Sequence, residues 1–383
     1  MNFGLSESQR ILKENARKFF ATEMPITDVR RTMESPHAHD EKLYAKLAEQ
    51  GFTGIIIPEA YGGLGLGKVE MVTLLEEMGR ALLPGPYFSS AILAASILNE
   101  AADERQKEKY LKPIAEGTKK ATLALVEEQG SWHPNSVQMP AGGTTLNGTK
   151  LFVTDAAVAD TILVVVRYHH EDLALFAVDS KAPGVTITQM PSMDLTRPIY
   201  AIKFLDVEGE LLAMGAHARS ALHHGLNISE VALAAELTGG MQRGIEITVE
   251  YAKTRKQFGK PIGGYQAVQH QCADMYFFTE GSRSSAMYAA WALDNQAPDA
   301  EKAVAIAKMY ASDAGREVGN RSIQVHGGMG FTWENDCHLY YRRAKASEVM
   351  LGDATYHRDR IATIIIDPVE VNSKTLEEAF ALD

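Results

Sequence analysis

The sequence predicts an α+β multidomain protein with an N-terminal helical domain over residues 1–120, a middle antiparallel β sandwich or barrel over 121–215, and a C-terminal four-helix bundle over 216–383. Three observations predict this order. Apolar residues recur at helical spacing in the first zone, short β-type runs follow one another in the second, and long helical stripes fill the third. A chain of 383 residues is long enough for two or three domains.

The N-terminal zone carries helix-start signals and apolar stripes. Ser6 and Gln9 have the spacing of a capping box, which starts the first helix. The turn at 84–86 (Pro-Gly-Pro) interrupts the most apolar stretch, which therefore predicts a buried helix and not a membrane span. Further helices are expected at 40–50, 71–83, 87–100 and 104–114.

The middle zone changes from helical to strand-like patterns. Aliphatic and β-branched runs, separated by Gly, Pro and Asp, predict strands at 161–167, 173–178 and 185–189. Strands that follow one another without helices between them favour an antiparallel sandwich or barrel over a Rossmann sheet.

The third zone is predicted to hold three long helices, at 229–257, 264–293 and 298–325. Gly259 and Pro261 follow the first of these in the order that ends a helix. Long helices with apolar stripes are typical of a four-helix bundle.

The charge balance argues against nucleic acid as a partner. Lys and Arg number 38 against 49 Asp and Glu, which gives a net charge of -11. Two cysteines fit a reducing compartment, and no secretory signal or membrane span is recognised, so we expect a cytoplasmic protein.

Several motifs invite other functions. The glycines at 62–67 lack the G-x-G-x-x-G order between strand and helix, which disfavours a Rossmann or P-loop site. The histidine pairs at 169–170 and 223–224 lack the i, i+4 spacing of a zinc helix, so no metal site is expected. The basic segment 255–260 either ends a helix and complements the dipole of that helix or contains an Arg that binds a phosphate. The segment 326–330 is either a helix-ending turn or a backbone that approaches a ligand closely.

Four motifs in order along the chain resemble the acyl-CoA dehydrogenase family of flavoproteins, and the resemblance covers nearly the whole sequence. They are the segments 44–63, 147–154, 251–266 with 273–275, and 324–330 followed by Tyr341 and Arg342.

The resemblance implies FAD, held without a Rossmann domain. Phe152, Val153 and Thr154 would meet the isoalloxazine ring, and Arg255, Gln257 and Phe258 would meet the pyrophosphate and adenine. The site would be completed by Gln266, Gln324, Gly327 and Gly328. The family builds this site from two subunits, which implies a homo-oligomer or a hetero-oligomer with a second acyl-CoA dehydrogenase subunit. The other implied partners are an acyl-CoA substrate and an electron-transfer flavoprotein.

The implied reaction is α,β-dehydrogenation of an acyl-CoA thioester, in which a carboxylate removes the α-proton while the β-hydrogen leaves as hydride. The commonest base position in the family is a Glu followed by Gly-Thr. Here that position holds Leu351, followed by Gly352, a candidate substrate contact, and Asp353. The family's second base position holds Ser229, with Glu230 beside it.

Glu230 and Asp353 are therefore the two candidate bases within this chain. The alternative roles are a paired or solvated helix residue for Glu230 and a helix N-cap for Asp353. Three hypotheses remain open. In the first, the chain is a dehydrogenase subunit that works with a base-bearing partner, as in bacterial members acting on steroid side chains or other bulky acyl-CoAs. In the second, it is a self-sufficient enzyme that uses Glu230 or Asp353. In the third, it is a flavin-binding relative without dehydrogenase activity. A flavin oxidase would be distinguished by oxygen consumption.

Overall fold

A computed structural model describes residues 4–168 and 172–366 of the chain. The histidine pair at 169–170 and the tail after residue 366 lie outside these ranges. Within them, none of the helices combines the length and apolarity that crossing a membrane requires.

The N-terminal zone is helical, as predicted. Helix α1 starts at the Ser6 capping box, where the amide N of Gln9 donates to Ser6 Oγ at 3.2 Å and the amide N of Ser6 donates to Gln9 Oε1 at 2.8 Å. The helices are α1 Glu7–Glu23, α2 Ile26–Met33, α3 Glu41–Glu49, α4 Lys68–Ala81, α5 Ala95–Ala101 and α6 Glu104–Ala115. The apolar stretch predicted at 87–100 is buried, and its first part, Tyr87–Ala94, is a π-helix that leads directly into α5.

The middle zone consists of two four-stranded sheets packed face to face. The first contains β1 Ala121–Ala124, β4 Thr161–Tyr168, β5 Asp172–Asp179 and β8 Glu210–Met214, in the order β1-β4-β5-β8. The second contains β2 Ala141–Gly142, β3 Thr145–Thr154, β6 Val185–Met190 and β7 Ile199–Glu208, in the order β2-β3-β7-β6. The predicted antiparallel sandwich is confirmed, except that β1 pairs with β4 in parallel.

The third zone is built on three long helices, α7 Gly215–Thr254, α8 Gln266–Asp294 and α9 Ala300–His326. The shorter helices α10 Cys337–Val349 and α11 Ala354–Ile365 pack against α9. Helix α7 begins well before the predicted residue 229. It ends at Thr254, before the hairpin of β9 Lys256–Gln257 and β10 Lys260–Pro261. Gly259, read from the sequence as a helix terminator, lies in that hairpin turn with φ +83°.

Helices α4 and α7 approach each other so closely that only glycine fits at their crossing. A Cβ on Gly79 would lie 1.9 Å from the carbonyl O of Glu236, and a Cβ on Gly239 would lie 1.8 Å from the carbonyl O of Glu76. This contact joins the N-terminal helices to the bundle and fixes Glu236 next to the candidate site.

Candidate active site

A cavity of about 320 Å³ lies where the second sheet faces α10. Its walls come from the end of β3, the start of β7, the loop between β6 and β7, and the C-terminal half of α10. The lining residues are Trp132, Phe152, Thr154, Pro191, Ser192, Met193, Arg197, Ile199, Lys345, Ala346, Ser347, Val349 and Met350.

Two of the three predicted ring contacts reach this cavity. The pairing of β3 with β7 shifts register between Lys150 and Val153, and Phe152 within this irregularity has φ +56°. The side chains of Phe152 and Thr154 line the cavity, whereas Val153 is buried in the core of the sandwich. The side chain of Val153 is therefore not part of the cavity wall.

The cavity fits the flavin ring that the sequence motifs imply. Small-molecule sites are typically about 300–1,000 Å³, mainly apolar, with a few polar groups that fix orientation. Here Trp132, Phe152 and Met350 supply apolar walls, and Thr154 and Arg197 supply polar groups. A second cavity of about 410 Å³, between α1, α4 and α7, contains none of the predicted site residues, and two of its arginines, Arg17 and Arg80, are paired with carboxylates.

The loop between α10 and α11 contains the family's usual base position and borders the cavity through Met350, next to Val349 at the end of α10. Leu351 is left-handed, with φ +59°, and only 1% exposed, so its side chain is part of the hydrophobic core. Gly352 follows with φ +93°, and a Cβ there would lie 2.3 Å from the Tyr356 ring. Position 351 therefore offers no proton acceptor.

Buried cationic and imidazole groups hold this loop. Lys308 Nζ donates to the carbonyl O of Glu348 at 3.1 Å and of Gly352 at 2.8 Å, and His357 Nε2 donates to the carbonyl O of Leu351 at 3.1 Å. Burial lowers the pKa of Lys308 to about 8 and that of His357 to about 3. The loop conformation is thus fixed from behind by α9 and α11.

Glu230 lies behind this loop and not in the cavity wall. Its carboxylate accepts from Arg360 Nη1 at 2.7 Å and lies 3.9 Å from His357 Nδ1. Burial raises the pKa of Glu230, and the nearby Arg360 partly opposes the shift. Its observed role is a buried ion pair between α7 and α11, in line with the paired-residue alternative.

Asp353 is exposed and caps α11. Its Oδ1 accepts from the amide N of Tyr356 at 2.9 Å, the arrangement of an N-cap. This matches the structural alternative foreseen for Asp353, and the residue does not line the cavity.

The predicted pyrophosphate and adenine residues form a second, exposed group at the far end of the bundle. The ends of α7 and α9 meet there, because the Tyr251 ring stacks on His326 with 4.4 Å between centroids. Phe258 is 93% exposed, and a Cβ on Gly327 or Gly328 would meet nothing within 4 Å. The remaining members, Arg255, Gln257, Gln266 and Gln324, are also exposed. Among the described residues, no hydrogen bond or ring contact joins this group to the cavity.

Sequence reasoning missed several residues of the site. Trp132 and Arg197 line the cavity, and Lys308 supports the loop. The sequence does contain a signal for Lys308, because it is a lone cation in the Ala-rich apolar stripe of α9. In the segment 127–133, which leads to Trp132, Glu127 has a structural role, because its carboxylate pairs with the fully buried Lys150 at 2.6 Å. Over residues 4–168 and 172–366, no three His, Cys, Asp or Glu side chains cluster closely enough to hold a metal ion.

Comparisons with known proteins match this chain over almost its full length. Family models match for the acyl-CoA dehydrogenase N-terminal domain at residues 6–118, the middle domain at 122–207 and the C-terminal domain at 219–366. Two relatives are each 30% identical over 94% of this chain and 99% of their own length. They are a 3-(aryl)acrylate reductase from Clostridium sporogenes and a probable acyl-CoA dehydrogenase, YngJ, from Bacillus subtilis.

Two solved structures have the same fold. A variant of the Tcur3481–Tcur3483 steroid ACAD superposes with a TM-score of 0.86 at 30% identity, covering 95% of this chain and 99% of that one. The ChsE4–ChsE5 complex from Mycobacterium tuberculosis superposes with a TM-score of 0.86 at 29% identity, covering 94% of this chain and 98% of that one.

Proposed function

Because the chain belongs to the acyl-CoA dehydrogenase family, we propose that it works as the FAD-binding subunit of a two-chain acyl-CoA dehydrogenase whose catalytic base comes from the other chain. FAD is the cofactor and α,β-dehydrogenation of an acyl-CoA thioester is the reaction. The observation that carries the two-chain proposal is Leu351, which fills the usual base position with a buried aliphatic side chain.

The residues of this chain have distinct proposed roles. Phe152, Thr154 and Met350 would enclose the flavin ring, and Trp132 would help to exclude water from it. When bound, FAD supplies a two-electron acceptor. Arg255 and Gln324 would contact the dinucleotide part of a cofactor in a neighbouring chain, since both are exposed and separate from this chain's cavity.

Two observations support an assembly with a second, different subunit. Large aromatic side chains are exposed beside the second group of site residues, with Phe258 at 93% and Phe331 at 80%, which is typical of a covered interface. Two structural neighbours carry paired names, ChsE4–ChsE5 and Tcur3481–Tcur3483. Tcur3481–Tcur3483 is called a steroid ACAD. We therefore propose acyl-CoAs with a bulky, steroid-type acyl group as the substrate class of this chain. We also place the protein in the cytoplasm, where its two free cysteines would stay reduced.

The test compares the purified chain alone with the chain co-expressed with acyl-CoA dehydrogenase subunits from neighbouring genes. The flavin absorbance is followed after anaerobic addition of a panel of acyl-CoAs, including steroid side-chain thioesters. We expect bleaching only when a second chain carrying a Glu at the usual base position is present. Full turnover by this chain alone would contradict the proposal.

Glu230 is the second candidate for the base, and one observation favours it. Its carboxyl is buried near the loop of Leu351, where burial raises its pKa toward the range useful for a general base. Its ion pair with Arg360 opposes this role. We expect Glu230→Gln to retain bleaching in the two-chain complex and to lower the free energy of unfolding by about 1–3 kcal/mol, since Arg360 loses a charged partner. A loss of bleaching of about 10²-fold with stability preserved would instead identify Glu230 as the base.

A further inference from the structure

A cluster of buried charges lies directly behind the cavity wall. Arg343 Nε donates to Asp194 Oδ2 at 2.6 Å and its Nη1 bonds Glu236, while Arg197 Nη2 bonds both Glu236 oxygens, at 2.9 and 2.7 Å. Arg197 is the member that lines the cavity. Asp155, the residue after the cavity-lining Thr154, adds a third carboxylate to two guanidinium groups, so the five side chains carry one surplus negative charge when all are ionised.

Asp155 is the least compensated member of this set. It is 1% exposed, and its Oδ2 accepts from Ser89 Oγ at 2.7 Å, while its Oδ1 is buried with no hydrogen-bond partner among the described residues. Arg197 Nη1 is likewise buried without a partner there, and no ion pair joins these two side chains. A buried carboxylate without full compensation is costly in its charged form.

Of the three carboxyl groups in the cluster, that of Asp155 has the charged form that its surroundings stabilise least. Burial raises the pKa of Asp155, and the hydrogen bond from Ser89 and the charges of Arg197 and Arg343 only partly oppose this. Burial would also raise the pKa of Asp194 and of Glu236, but their arginine partners hold both below the ordinary range. Two tyrosines also interact with Asp155 and stay neutral, because burial raises the pKa of Tyr44 on α3 above its usual value and that of Tyr200 on β7 to about 12.

We propose that Asp155 is a proton acceptor coupled to the cavity and takes up one proton from solvent when the flavin bound there gains negative charge. Reduction by two electrons and one proton leaves one net negative charge in the cavity, and a proton on Asp155 cancels it. Coupling is expected because a new negative charge nearby raises the pKa of a carboxyl group. Asp155 directly follows the cavity-lining Thr154 in the chain and interacts electrostatically with Arg197, which also lines the cavity. The inference rests on FAD binding in this cavity and not on acyl-CoA turnover.

The test measures the midpoint potential of the flavin across the neutral pH range in the FAD-loaded protein, using a chemical reductant. In the pH range where Asp155 titrates, the wild-type potential should fall more steeply with pH, by the slope that corresponds to one additional proton per two electrons. In Asp155→Asn this extra slope should vanish, and the potential at alkaline pH should exceed that of the wild type. Asp179→Asn, a change at the exposed end of β5, is the matched control and should behave as wild type. Identical slopes and potentials in all three proteins would overturn the proposal.

A second measurement uses only the unmodified protein and so does not depend on the variant retaining FAD. The infrared spectrum of the reduced protein minus that of the oxidised protein should contain a positive C=O band of a protonated carboxyl that shifts in D₂O. The absence of such a band would overturn the proposal. Since the reductant is chemical, either outcome leaves the dehydrogenase assignment unaffected, and failure to bleach with acyl-CoA leaves this inference unaffected.

Discussion

At the scale of single residues, the decisive feature is the contrast between a preserved loop and a missing acid. Lys308 and His357 hold the backbone of the loop at Leu351 and Gly352, yet the side chain at 351 is a buried leucine. The acidic residues nearby have structural partners, because Glu230 pairs with Arg360 and Asp353 caps α11. The loop that contains the usual base position is therefore held in place, but position 351 carries no carboxylate.

Replacing Leu351 with Glu should supply the missing acid, because a carboxylate is too costly to bury in the core position of the leucine and should turn toward the adjacent cavity, which Met350 lines. We expect the rate of flavin bleaching by acyl-CoA in the lone chain to rise by about 10²-fold or more, the usual contribution of a general base. Leu351→Gln is the matched control, because the Gln side chain has the shape of Glu but cannot act as a base. This variant should leave the rate at the wild-type level. Equal rates in the two variants would show that position 351 does not face the substrate.

Lys308 should make stability depend on pH in alkaline solution. Burial lowers its folded-state pKa to about 8 from the 10.5 of an exposed lysine. Between these values the unfolded chain binds a proton that the folded chain has released, so this residue's contribution to the free energy of unfolding rises with pH.

Urea unfolding of Lys308→Met over this pH window should show a shallower rise than the wild type. The variant should also be less stable by about 1–3 kcal/mol near pH 9, since the carbonyl groups of Glu348 and Gly352 lose their donor. Lys302→Met on the same helix is the control and should match the wild type. A Lys308→Met slope equal to that of the wild type would contradict the shifted pKa.

At the scale of elements, the close crossing of α4 and α7 determines how the site is assembled. Gly79 and Gly239 let the two backbones touch, and this brings Glu236 on α7 to Arg197 at the cavity and Arg343 on α10. The crossing therefore links three parts of the chain, the N-terminal helices, the β domain and the bundle, at one ionic cluster.

Gly239→Ala should separate these helices. The added Cβ would start 1.8 Å from a backbone carbonyl, which cannot move as a flexible side chain could. We expect a loss of about 1–3 kcal/mol or more in the free energy of unfolding, as for other overpacked core sites, together with weaker FAD retention. Gly240→Ala next to it is the control, since its Cβ would meet nothing closer than 3.8 Å. Equal stability in the two variants would contradict the account.

The helices and strands could be predicted largely from the sequence, because capping at Ser6 and apolar periodicity are local signals. The early start of α7 and the hairpin at 256–261 could not, since both depend on tertiary packing. The motif at 147–154 predicted Phe152 and Thr154 as ring contacts, and both line the cavity. Arg197 and Asp155 were missed, because a single charged residue in a loop or at a strand end does not reveal which distant charges will surround it.

At the scale of the whole molecule, the candidate cofactor residues fall into two groups that one chain does not bring together. The cavity group lies between the second sheet and α10, and the exposed group lies at the ends of α7 and α9. A site assembled from two chains explains both the separation of the groups and the exposed aromatic side chains of Phe258 and Phe331. It also allows the missing acid to come from a different subunit.

Deuterium wash-in at the α-carbon of an acyl-CoA in D₂O tests this account most directly, because it reports proton removal without requiring electron transfer. The lone FAD-loaded chain should give no wash-in above the uncatalysed background, and the two-chain complex should give rapid wash-in. Rapid wash-in by the lone chain would contradict the account, because it would show that this chain already contains its own base.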